Sequence, residues 1–194
     1  KSSERLACHY TSHMPEDRAL TFKRKFEAEL KDAQALCGPE VVKMILLDGA
    51  RHLWKYINAT PLYEDYEKLI DFWHMLEHLA AAAEALFGKD NSVSQLWYET
   101  YRTKLLENDR SAEKIIRSID HYAEKQNLTA ARKKELKKQR TFFAQNKHLM
   151  NYAEFRRRGL PIGSGPVEAA CKTLVKTRMC RSGMRWSREG GEHI

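Results

Sequence analysis

The chain has 194 residues, 42% of them hydrophobic and 31% charged, with a formal net charge of +8. That mix excludes a low-complexity or disordered polymer and suffices for one packed core. No apolar run approaches membrane-spanning length and no secretory leader opens the sequence, so a cytoplasmic protein without a membrane partner is expected.

The excess of Lys and Arg favours a polyanionic partner. Cys8, Cys37, Cys171 and Cys180 show no CxxC spacing, which points to reduced thiols. Cys8-His9 with His13 has loose metal-ligand spacing but lacks a second cysteine pair.

Leu6 to Tyr10 is a candidate strand. Pro15 opens a helix through about Leu36, with Leu20, Phe22, Phe26, Leu30 and Ala33 at helical spacing and Gly38-Pro39 closing it. Val41 to Leu47 is an apolar run broken only by Lys43, the pattern of a buried strand. Asp48 falls at its C-terminal end, where open α/β sheets commonly hold ligands. Leu69 to Phe72 reads as a short neighbouring strand, followed by a helix from about His74 to Phe87.

Ser92 to Leu106, Ser111 to Gln126 and Thr129 to Leu149 carry helical periodicity, with polar breaks at Gly88–Asn91 and Asn127. No repeat or linker interrupts them, so 72–158 reads as an all-α insertion within one domain. The basic segment from Arg132 to Arg140 is either a solvated helix face or a track for phosphates. Trp54, Trp73 and Trp97 are expected as core anchors. Trp186, among Arg178, Arg181, Arg185 and Arg188, is the candidate for stacking on a base.

From Gly159 the sequence reads as a turn and a helix start. Gly163 and Gly165 permit a tight turn, Ser164 is a good N-cap, and Pro166 suits the first helical position. Glu168, Lys172 and Lys176 then share one stripe at i, i+4 and i+8, opposite Val167, Ala170, Cys171, Leu174 and Val175. Glu168 either pairs with Lys172 and complements the helix dipole, or presents a carboxylate at a phosphate-binding surface.

This stretch, with the tail from Arg178 to Ser187, resembles the C-terminal signature of bacterial insertion-sequence transposases of the DDE class, Kra-type group. Two further blocks resemble the same family in the same order: Val41 to Ala50 followed by Trp54, and Leu69 to Leu79. The resemblance implies an α/β, RNase H-like core, incomplete at its N-terminus, with a large helical insertion that makes the chain mostly helical overall. Core parts would be 1–71 and 159–194. It implies two Mg²⁺ or Mn²⁺ ions held by Asp, Asp and Glu, with Asp48 as the second acidic residue and Glu168 as the third. The first has no counterpart in a strand-like context here, so the chain is expected to be a fragment, inactive alone, of a transposase that cuts and joins DNA.

By the same resemblance Lys172, Lys176, Arg178, Arg181 and Arg185 would grip DNA, while Asp71, His74 and Ser164 would support the site. The partner would be double-stranded DNA, with the protein a homo-oligomer in that complex and associated with the nucleoid when acting. A non-catalytic DNA-binding remnant is the alternative. His74-Met75-Leu76-Glu77-His78 also matches the HxxEH pattern of a zinc protease, with Glu154 available on paper as a third ligand.

Overall fold

The computed structural model describes residue 11 and residues 16–165. The chain divides into two compact units, 43–164 and 1–42 with 165–194. In the second of these the described part is a 3₁₀ turn at Asp17–Ala19 and helix α1, Leu20–Ala35. Glu16 opens α1 with one side-chain oxygen, which accepts from the backbone N–H groups of Thr21 and Phe22. None of the α1 residues is buried. The expected strand at Leu6–Tyr10 lies outside the described residues.

The unit 43–164 is mostly helical, with a small parallel sheet. Its elements are β1 (Met44–Leu47), α2 (Arg51–Ala59), a 3₁₀ turn at Pro61–Tyr63, β2 (Glu67–Ile70), α3 (Phe72–Phe87), α4 (Ser92–Glu107), α5 (Ser111–Lys125), α6 (Ala130–Asn146), a 3₁₀ turn at Lys147–Leu149 and α7 (Tyr152–Arg157). β1 and β2 pair in parallel, from Met44 opposite Glu67 to Leu47 opposite Ile70.

The first strand starts three residues later than the apolar run suggests. Val41 donates its N–H back to Gly38, and both Val41 and Val42 stay exposed. β2 ends at Ile70 rather than Phe72 because Asp71 caps the next helix: its side chain accepts the N–H of His74 at 3.0 Å.

Helix α3 organises the core. Met75, Leu79, Ala82 and Leu86 are completely buried, and the helix packs against α4, α5 and α6. Leu69 and Ile70 of β2, Ile115 and Ile119 of α5, Phe143 of α6 and Tyr152 of α7 complete the same cluster. Burying each such aliphatic side chain contributes about 1.5–3 kcal/mol.

Side-chain caps mark where α4 and α6 start. Asn91 accepts from the N–H of Val93 at 2.8 Å, and Thr129 from that of Arg132 at 3.4 Å. Gly88, with φ 98°, ends α3 in a backbone conformation that favours glycine. At the α4–α5 corner the Ser111 hydroxyl lies 2.7 Å from the carbonyl oxygens of both Lys104 and Asn108.

Two arginines of the basic segment serve the fold. Arg132 donates from Nε to the carbonyl of Ala85 at 2.8 Å and from its guanidinium to that of Leu86, covering the electronegative C-terminal end of α3. Arg140 holds Asp120 of α5 through two parallel contacts, one of 2.8 Å. At the far end of the sheet Arg158 clasps both carboxylate oxygens of Glu67, one at 2.6 Å.

Candidate functional site

Parallel pairing sets two aspartates side by side. Asp48 follows Leu47, Asp71 follows Ile70, and those two residues are partners in the ladder. Neighbouring strands lie about 4.8 Å apart, and the N–H of Asp71 donates to the carbonyl of Leu47 at 2.8 Å. Two carboxylate-bearing residues therefore leave the same C-terminal edge of the sheet.

Their surroundings differ sharply. Asp48 is exposed. Its Oδ1 accepts the N–H of Ala50 at 2.9 Å, a local turn that starts α2, and its carbonyl accepts the indole N–H of Trp54 at 2.8 Å. Asp71 is only 4% exposed. Its Oδ1 takes the His74 N–H, and its Oδ2 takes the N–H of Ser164.

The segment ending at Ser164 is fastened to this edge a second time, by the N–H of Phe72 donating to Ile162 at 2.9 Å. Asp71 thus joins the start of α3 to a turn 93 residues later in the sequence. Beneath it Tyr152 lies edge-on to Phe72 with its ring centroid 5.0 Å away. Burial, reinforced by the Asp71 charge, pushes the Tyr152 phenol well above its ordinary range. Its hydroxyl has no hydrogen-bond partner among the described residues.

Trp73 departs from expectation. Trp54 and Trp97 are buried, but Trp73 is 54% exposed and covers Gly163, where an added Cβ would lie 2.9 Å from the indole. Gly49, directly after Asp48, is constrained likewise: a Cβ there would come 2.5 Å from the Phe142 ring of α6. Both glycines border the sheet edge because side chains from α3 and α6 lie against the backbone.

The histidines of α3 face α6. His74 Nδ1 lies 3.3 Å from Glu77, and its ring is 5.1 Å from that of His78. His78 is stacked on Phe142 at 3.5 Å, with Nδ1 2.6 Å from the Gln139 side-chain oxygen. Gln139 in turn donates to Glu135. Burial lowers the His78 pKa from its ordinary value, against the opposing effect of the Gln139 hydrogen bond.

Glu154, the paper third ligand of the HxxEH reading, is paired with Arg158 at 3.3 Å. Among the described residues no group of three or more His, Cys, Asp or Glu side chains converges as a metal site.

Of the residues expected to carry function, the structure describes Asp48, Asp71, His74 and Ser164, all at or beside this edge. Glu168, Lys172, Lys176, Arg178, Arg181 and Arg185 lie outside the described residues, as does Trp186. No helix among the described residues is long and apolar enough to cross a membrane. Comparison with known proteins adds no relative: no family model, no curated protein and no solved structure matches the chain.

Proposed function

We propose that the chain is part of a DDE-class transposase, a metal-dependent DNA strand-cutting and strand-joining enzyme with an RNase H-like core. The observation that supports this most is the shared strand edge. Asp48 ends β1, Asp71 ends β2, and Asp71 tethers Ser164, four residues before Glu168. On this reading Asp48 and Glu168 hold Mg²⁺ or Mn²⁺, to which hard carboxylate oxygens are suited. The bound ions supply activation of the attacking oxygen and neutralisation of the leaving one.

The protein's own part is positional. Asp48 offers an exposed carboxylate whose other oxygen is already fixed by Ala50, so its orientation is set before any ligand arrives. Asp71, buried and accepting one backbone N–H on each oxygen, is a positioning residue that ties Ser164 to the sheet edge. His74 serves at the same helix start, through its backbone N–H to Asp71. The basic residues of the tail bind duplex DNA through its phosphates, in a homo-oligomeric complex.

The test is cleavage of an end-bearing DNA duplex with Mg²⁺ or Mn²⁺ by a chain carrying all three acidic residues. Asp48→Asn and Glu168→Gln should each abolish strand cleavage while leaving DNA affinity within about twofold, since affinity rests on the cations. Cleavage that survives Glu168→Gln would overturn the assignment. Binding with no cleavage by the intact protein would favour a DNA-binding remnant.

A further inference from the structure

Helix α6 carries six Lys and Arg residues in its first eleven positions, and the structure separates them into two groups. Arg132 and Arg140 are committed to the fold, one to the carbonyls ending α3 and the other to Asp120. Lys133, Lys134, Lys137 and Lys138 remain exposed. At 3.6 residues per turn all four fall within an arc of about 140°, and they span about 7.5 Å of helix axis.

The other exposed residues of α6 are Ala130, Ala131, Arg140, Thr141 and Gln145, none of them acidic. Among the described residues only Lys138 of the four is ion-paired, with Glu135 at 3.5 Å on the adjoining side. Lys133, Lys134 and Lys137 form no ion pair among the described residues. The opposite face, with Leu136, Gln139 and Phe143, is buried. The helix is therefore held rigidly from behind while its front carries uncompensated charge. Beside this front, α5 and α6 enclose a groove of about 250 Å³ bordered by Lys133 and Lys137, and by Asp120, whose charge Arg140 already neutralises.

We propose that the solvent face of α6 is a contact surface for the phosphate backbone of duplex DNA, made by Lys133, Lys134, Lys137 and Lys138. This rests on the reading of the chain as a DNA-binding protein and assigns part of that binding to the helical segment rather than to the tail. Charge complementarity selects the partner: duplex DNA carries a negative charge every 1.7 Å or so along its axis, and the flexible lysine stems can adjust to phosphates without reading bases. The expected contact is thus indifferent to sequence.

The experiment measures affinity of the full chain for a random-sequence duplex by fluorescence anisotropy over a salt series. Each neutralised phosphate contributes about 0.9 to the slope of log affinity against log salt. The triple variant Lys133→Gln, Lys134→Gln, Lys137→Gln should flatten that slope by about 2.7. Restoring charge with arginine at the same three positions should recover it, which separates charge from any effect on folding.

Removing the same charge from α1, with Arg24→Gln, Lys25→Gln and Lys31→Gln, should change the slope by less than about one contact's worth. If the α6 variant binds with the wild-type slope, the α6 assignment is overturned and DNA binding through other residues stands. If both triple variants lose affinity equally, net charge alone is responsible and the assignment again fails. If the wild-type chain does not bind duplex DNA at low salt, the assignment and the DNA-binding reading are both overturned.

Discussion

Asp71 concentrates several structural tasks in one side chain. It follows the strand, caps α3, and fastens the Ser164 turn, each through a backbone N–H. Replacing it by alanine removes an N-cap, about 0.5–2 kcal/mol, and strands the Ser164 N–H, about 1–3 kcal/mol if it stays buried. Asp71→Ala should therefore lower unfolding free energy by roughly 2–4 kcal/mol in urea titrations. Asp71→Asn should cost less, because one oxygen can still cap the helix. A loss below about 0.5 kcal/mol for the alanine variant would mean that the Ser164 turn contributes no stability. The exposed indole of Trp73 over Gly163 gives a local reporter: its fluorescence should shift in Asp71→Ala if the turn detaches.

Between elements, the α3–α6 contact carries a pH response. The His78 pKa is lowered from 6.5, mainly by burial, so the folded protein resists protonating it. The unfolded chain takes up that proton as pH falls below 6.5, and stability falls with it. The contribution is fully present above 6.5 and is lost as pH drops toward and through the lowered folded value. Melting temperature should thus decline between pH 7 and pH 5, and His78→Gln should show a shallower decline in calorimetry. An identical slope in the variant would assign the effect to other groups.

The helix starts of this layer were legible in the sequence because Asn91 and Thr129 are capping residues followed by apolar periodicity. Asp71 stands between the expected strand and the expected helix, and the helix it caps starts at Phe72, two residues ahead of the expected start at His74. Helix α2 gave little warning: Ala50 offers no capping side chain, and only Trp54 and Ile57 are buried within nine residues. The division of labour inside Arg132–Arg140 was hidden as well. Sequence spacing distinguishes a charged face from an apolar one, but not an arginine that bends back onto the carbonyls of a distant helix. Trp73 differs from expectation because its type favours burial, whereas its position as the second residue of α3 leaves it on the rim.

At the scale of the whole molecule, α3 packs against α4, α5 and α6, three helices that all follow it in sequence. The link between it and them is the short stretch Gly88–Asn91, with Lys89, Asp90 and Asn91 exposed. Burial of Met75, Leu79, Ala82 and Leu86 across that link provides several kcal/mol, so covalent continuity there is expected to be dispensable. Co-expressed 1–89 and 90–194 should assemble and co-purify, and Leu79→Asp in the first half should prevent it. Failure of the unmutated halves to associate would mean that holding the ends close, rather than the apolar seam of α3, is what keeps the bundle closed.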